Sequence, residues 1–399
     1  MITGDGAYIK KLNRSLLLEK IIEHGMISRA ELSKLTGLNK ATISVQINDL
    51  LDEELIYETR QEHHNIGRRP IMLSLNRKTG FVLGIDLDYK AITYTLSDLL
   101  GFPVYSNTFE LTTSDYDVVV KELIKQIKDY DAKSSHTRYG LVGVVIGIHG
   151  TVGKDEVINF VPQHQWHNKK LKEDLQKELD INISIDNNAN LVAFAEKVFQ
   201  HHHTQNLLSL TMYSGIGTGL IMDGTIQKGF HGYAGEIGHM IIYPEGKQCK
   251  CGNKGCWELY ASEAKLFEAL SEKKKLPNVK YEDLEQWIDT GDPEAYELLE
   301  EFIKYISIGL NNVINLCNPE TIVLNSNVLR IYPNVIEKIK GYLTSSVTQY
   351  GELVISQLGT KACVMGACAH ASKNFLEISE ISLELTEEKI PSTKVDTIV

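Results

Sequence analysis

The sequence predicts an α/β protein with a winged helix-turn-helix at its N-terminus. Three observations point there. At 399 residues the chain exceeds one ordinary core and calls for two or three domains. Its first eighty residues read as capped helices followed by two short strands. From Gly80 onward, apolar strands alternate with helical stretches and end in glycine-rich turns, the pattern of an α/β body with ligands at its strand ends. Hydrophobic residues make up 43% and charged residues 23%, a globular composition. With no apolar run of membrane-spanning length and no signal peptide, the expected compartment is the cytoplasm.

The first element is an amphipathic helix over 12–24, with Leu16, Leu17, Ile21 and Ile22 roughly on one face and Gly25 as its stop. Ser28 and Glu31 have capping-box spacing and open a second helix running to about Thr36. A tight turn at Gly37-Leu38 leads to Asn39, an N-cap for a third helix whose apolar face is Ile43, Ile47, Leu50 and Leu51. Helix, short glycine turn, helix is the pattern that lays its second member in the DNA major groove. The groove-facing side carries Lys40, Thr42, Ser44 and Asn48 for phosphates and base edges, and Val45 for a thymine methyl. Strands at Leu55–Tyr57 and Ile71–Leu73 flank a wing, 65–70, whose Arg68 and Arg69 suit a narrow minor groove. The bland alternative is a three-helix cap with no nucleic-acid role.

A net charge of −11 argues against a protein that coats nucleic acid. Residues 1–80, however, hold 12 Lys/Arg against 10 Asp/Glu, so the remainder carries −13. A mildly basic front on an acidic body fits a small DNA-contacting module on a larger domain.

The body's strands are read at Phe81–Asp86, Thr93–Asp98, Leu141–Ile148, Ile183–Ile185 and Leu207–Thr211. Their ends carry His149-Gly150-Thr151, Asp186-Asn187-Asn188-Ala189-Asn190 and the glycine-rich run Ser214 to Gly219. Further on stand Gly235-Glu236-Ile237-Gly238-His239 and the run Cys249 to Glu258, in which three of the six cysteines fall within eight residues. Together with Gly67-Arg68-Arg69-Pro70, these motifs resemble the ROK family (repressors, open reading frames and sugar kinases), over about Lys10 to Ala371. The repressor branch of the xylose-responsive type is the nearer pattern. The resemblance implies a two-lobed actin/hexokinase-like (ribonuclease H-like) ROK domain with a cleft between its lobes. The divisions expected are a winged helix over 1–76, lobe 1 over 80–190, lobe 2 with a zinc loop over 191–375, and an acidic tail over 376–399 that forms a terminal helix or stays partly disordered.

His239, Cys249, Cys251 and Cys256 supply one imidazole and three thiolates, a soft tetrahedral set that suits Zn²⁺ in a closed structural site. The alternative is free thiols or a stray Cys249–Cys251 disulfide, a pair with poor bridging geometry. Glu236 and Glu258 flank this cluster, and His239 has a second nitrogen to offer a sugar hydroxyl. The resemblance puts sugar contacts at Asn187, Asn188, Glu236, His239 and Glu258, with Gly150 and Thr151 beside them. The alternative for both carboxylates is support of the metal alone.

Three departures from the family's kinases argue against phosphoryl transfer. Asp86-Leu87-Asp88-Tyr89-Lys90 stands where they carry Asp-x-Gly-Gly-Thr. Asn188 stands where they carry the catalytic Asp, and an amide cannot take the hydroxyl proton. Asn325-Ser326-Asn327 replaces the turn that holds adenosine. The expected function is therefore a sugar-responsive repressor. Its partners are a pseudo-palindromic operator, a mono- or disaccharide effector, and further copies of itself as a homodimer or dimer of dimers. The alternative is an ATP-dependent sugar kinase with a DNA-binding appendage.

Overall fold

The computed structural model describes residues 6–60, 70–386 and 389–390. The first helix, α1 (Gly6–His24), begins six residues before the expected start. Its early residues Tyr8, Ile9 and Leu12 are exposed, so these turns have no buried stripe for periodicity to detect. The buried face is Leu17, Leu18, Ile21 and Ile22, with Leu16 only half-buried. After β1 (Ile27–Ser28) the capping box forms as expected: Ser28 Oγ accepts from Glu31 N, and the Glu31 carboxylate accepts from Ser28 N at 2.9 Å. α2 (Arg29–Thr36) ends at Gly37, whose φ of 70° favours glycine. Asn39 caps α3 (Lys40–Asp52) by accepting from Thr42 N. β2 (Ile56–Arg60) and β3 (Ile71–Leu75) pair antiparallel and run longer than expected, completing a sheet ordered β1-β3-β2. The expected wing tip, with Arg68 and Arg69, lies outside the described residues.

The first large sheet has the order β11-β7-β4-β5-β6. Here β4 is Phe81–Leu87, β5 Ala91–Asp98, β6 Pro103–Glu110, β7 Leu141–Ile148 and β11 Ile183–Asn187. Strand alternation gives it two apolar faces. Leu83 and Ile85 pack with Leu123 and Ile127 of α4 (Tyr116–Ser134), whereas Val82 joins the core that includes α13 (Ala362–Leu376). A small sheet of β8 (Thr151–Val152), β9 (Ile158–Val161) and β10 (Trp166–Lys169) precedes the short α5 (Leu171–Gln176). The second large sheet, β14-β13-β12-β15-β16, comprises β12 (Leu207–Thr211), β13 (Gly217–Met222), β14 (Thr225–Ile226), β15 (Thr321–Asn325) and β16 (Glu352–Ile355). It is covered by α7 (Glu258–Ala261), α8 (Glu263–Lys274), α9 (Tyr281–Thr290), α10 (Pro293–Cys317), α11 (Asn327–Ile331) and α12 (Val335–Tyr342). Between the sheets runs α6 (Asn188–Phe199), against α13 on one side and β12–β13 on the other.

Two expectations need correction. Lobe 2 is not continuous over 191–375, because α13 returns to pack on β4 and β7 of the first sheet. Only glycine at 84 permits this: a Cβ there would sit 2.5 Å from Val364 O. Nor does the tail form a helix over 377–386. It is a strap whose Ile378, Ile381 and Leu383 enter the same buried cluster as Leu17 and Ile21 of α1 and Phe199 of α6. Glu19 on α1 accepts from Ser379 N (2.7 Å) and Glu380 N (3.3 Å), and Lys11 pairs with Glu377 at 3.1 Å. Leu383 N donates to Val198 O at 2.9 Å, tying the strap to the end of α6. The Tyr139 hydroxyl donates to Glu53 O (2.8 Å) and Arg138 pairs with Glu54, fixing the helical module to the body. No described helix is long and apolar enough to cross a membrane.

Candidate functional site

The four expected metal ligands meet. One ligand atom each from His239, Cys249, Cys251 and Cys256 lies within 4.8 Å of the others. Cys251 Sγ is 3.6 Å from Cys256 Sγ, and Cys249 Sγ is 3.7 Å from His239 Nδ1. Donors held at roughly 2.3 Å by a tetrahedral ion stand roughly 3.8 Å apart, so the set fits one such ion. The loop closes this tightly because Gly255, at φ 80°, lies against Tyr243: a Cβ there would fall 1.8 Å from the Tyr243 carbonyl oxygen. Trp257, wholly buried, donates its Nε1–H to Tyr305 O at 2.8 Å and anchors the end of the loop to α10.

The carboxylates expected to hold sugar abut this cluster. Glu258 Oε1 is 3.4 Å from both Cys249 Sγ and His239 Nδ1, while Glu236 Oε2 is 3.9 Å from His239 Nε2. The imidazole thus turns Nδ1 to the thiols and Nε2 toward Glu236. Gly215 keeps the first glycine turn close, since a Cβ there would lie 2.9 Å from Glu258 Oε2.

At the end of β11, Asn187 is the N-cap of α6. Its Oδ1 accepts from Ala189 N and Asn190 N, and its Nδ2 donates to Gly150 O at 2.8 Å. Asn187 therefore ties the start of α6 to the turn after β7. Thr151 Oγ1 lies 3.4 Å from Phe160 O, and Asn188 Nδ2 is 3.4 Å from His149 Nδ1. His149 Nε2 is 2.7 Å from Asp86 Oδ1, and its Nδ1 is 3.6 Å from Asp88. Burial opposes charge on His149, but Asp86, with help from Asp88, outweighs it and holds the imidazole pKa above its ordinary value.

Two contacts were invisible in the sequence. Lys228, just after β14, reaches across to Asp186 of β11 at 2.8 Å, and Asp186 also accepts from Asn190 Nδ2 at 3.0 Å. The His149–Asp86 pair spans 63 positions. Neither has a local spacing signal. In the turn expected to replace the adenosine site, Asn325 accepts from the Tyr213 hydroxyl (2.7 Å) and donates to Gly359 O (2.9 Å), while Ser326 caps α11 and donates to Glu263. Both are wholly buried. His201 and His202, just past α6, are partly buried, and His201 pairs with Glu352 at 3.4 Å.

On α3, Lys40, Ser44, Val45 and Asn48 are exposed and Thr42 is half-buried. Ala41, not singled out from sequence, shares the exposed stripe of Ser44, Val45 and Asn48.

Two five-stranded sheets packed about α6 and α13, with a thiol-imidazole cluster beside two acidic side chains, define an α/β architecture carrying an extra helical module. The chain belongs to the ROK family, which it matches over residues 82–374. It is 36% identical to the xylose repressor of Bacillus spizizenii, covering 95% of this chain and 99% of that one. Among solved structures, a ROK family transcriptional regulator described as a homologue of the E. coli MLC protein superposes with a TM-score of 0.80. That match has 26% identity and covers 92% of this chain and 97% of the other. A ROK family glucokinase from Streptomyces griseus, solved with glucose and AMPPNP, shares the fold at a TM-score of 0.65 and 23% identity. It covers 74% of this chain and 100% of its own.

Proposed function

We propose that this protein is a sugar-responsive transcriptional repressor with a pentose, xylose, as effector. The observation that carries this is the likeness to a xylose repressor over 95% of this chain and 99% of that one, against the 74% of this chain that the glucokinase match covers. α3 is the recognition helix, with Lys40, Thr42, Ser44, Val45 and Asn48 toward the operator and Arg68 and Arg69 in the wing. The effector lies between Asn188, Gly150 and Thr151 on one wall and Glu236, His239 and Glu258 on the other, with Asn187 positioning the first wall. Zinc on His239, Cys249, Cys251 and Cys256 would be structural, fixing the loop that carries Glu258; with all four positions filled by protein it supplies no open site. The protein acts in the cytoplasm as a homodimer or dimer of dimers on a pseudo-palindromic operator.

Phosphoryl transfer is absent in this reading. Asn188 offers no base, and the acid turn at 86–90 pairs inward with His149 instead of opening backbone N–H groups to phosphate. Coupling runs along α6, whose first turn borders the sugar and whose last turn holds the strap that grips α1. Sugar binding that shifts α6 relative to the second sheet moves the helical module with it.

Calorimetric titration with xylose tests the cleft. We expect binding that Glu258→Gln weakens at least tenfold. Unchanged affinity in that variant would refute the assignment, and a coupled ATP assay showing turnover would favour the kinase alternative.

A further inference from the structure

Arg29, the first residue of α2, lies outside the recognition helix, yet it joins three of the module's elements. Its Nη2 donates to Asn48 Oδ1 on α3 at 3.1 Å and to Glu58 Oε1 on β2 at 3.0 Å. The pair is only partly open to solvent, with side chains 32% and 38% exposed. An arginine has donors and no acceptor, so an amide facing it must present its oxygen; the flipped amide would set N–H against N–H. The Asn48 orientation is therefore chemically determined, and its Nδ2 lies on the side away from Arg29. Among the described residues that Nδ2 has no acceptor. Asn48 lies three, four and seven positions from Val45, Ser44 and Ala41, the exposed stripe of α3.

We infer that Arg29 is a positioning residue for operator reading. It locks the Asn48 amide with its two N–H donors toward the major groove, where they meet a base edge that carries an acceptor: N7 of a purine, O6 of guanine or O4 of thymine. Through Glu58 the same guanidinium holds the strand leading into the wing at a fixed place beside the recognition helix. Without Arg29 the amide is free to turn over, and the base pair it reads is discriminated less well. This role rests on the reading of α3 as the recognition helix.

Two other roles for Arg29 leave different signatures. A phosphate contact would weaken binding to all sequences alike and reduce the salt dependence of affinity. A purely structural role would lower thermal stability and leave base preference unchanged.

The test is selection of the full-length protein on a pool of duplexes carrying a random 20-base-pair segment. Wild type, Arg29→Ala, Asn48→Ala and the double variant are each sequenced after selection, and affinities are measured on the winning motif and its single-base variants. Thermal unfolding is followed alongside. We expect Asn48→Ala to cut discrimination at one base pair of each half-site about tenfold. Arg29→Ala should cut it several-fold at that same base pair, and the double variant should be no worse than Asn48→Ala alone. A motif enriched alike by wild type and Arg29→Ala would overturn the inference while leaving the recognition helix intact. So would a uniform loss with a shallower salt slope, or losses from the two substitutions that simply add. A wild type that enriches no motif would overturn the reading of α3 and this inference with it.

Discussion

Glu196 sits in the last turn of α6 with none of its surface open to water. Its Oε1 accepts from Ser356 Oγ, and its Oε2 has no partner among the described residues. Burial pushes its carboxyl up to about 7 from the usual 4.5, against the opposing effects of the Ser356 hydrogen bond and the field of Arg330. In the unfolded chain this group loses its proton near its usual value, while the folded protein keeps it until about 7. Stability therefore falls as pH rises between those values and levels off above, by on the order of 3 kcal/mol. Glu196→Gln should remove this penalty: thermal denaturation should show the variant more stable than wild type at pH 8 and matched to it at pH 5. An unchanged pH profile would mean that the carboxylate is relieved by its surroundings. Residues of this kind mark the limit of what sequence conveys. Cys249, Cys251 and Cys256 are legible because their spacing is local and their chemistry narrow. Glu196, Lys228 and His149 draw their character from partners 160, 42 and 63 positions away.

At the level of elements, the metal loop and the strap carry separate predictions. If the loop is held by one ion per chain, elemental analysis should find one zinc. Chelation should then weaken sugar binding before the whole fold melts, because Glu258 loses its support while the sheets keep theirs. Metal-free protein with full sugar affinity would contradict that order. The strap is tested by Glu19→Ala, which frees the Ser379 and Glu380 amides without opening the core. We expect sugar affinity unchanged and the effect of sugar on DNA affinity reduced several-fold; a full response would place the coupling elsewhere. The α2 and α3 boundaries were legible because capping residues announce them: Ser28 with Glu31, then Asn39. The strap was not legible. Its Ile381, Leu383 and Leu385 alternate with polar residues as a strand's would, yet they join no described sheet, and their partners lie in α1 and α6, far off in the chain. The early turns of α1 were missed for a related reason, since an exposed helix end leaves no apolar pattern.

For the whole molecule, the sequence conveyed an α/β body behind a helical module, because alternating strands and glycine turns are a long-range texture that survives without any one contact. It did not convey that the last helix closes back onto the first sheet, which depends on the bare backbone of Gly84 meeting Val364. That closure makes α6 and α13 a shared spine between the two large sheets. A ligand can shift an equilibrium between two conformations only by its difference in affinity for them. A hundredfold change in operator affinity would require about 2.7 kcal/mol of that difference. The measurement that bears most directly on this account is the affinity of the full-length protein for its selected operator, read by fluorescence anisotropy without xylose and at saturating xylose. The expected result is binding at least tenfold weaker with the sugar. Equal affinity under both conditions would contradict it.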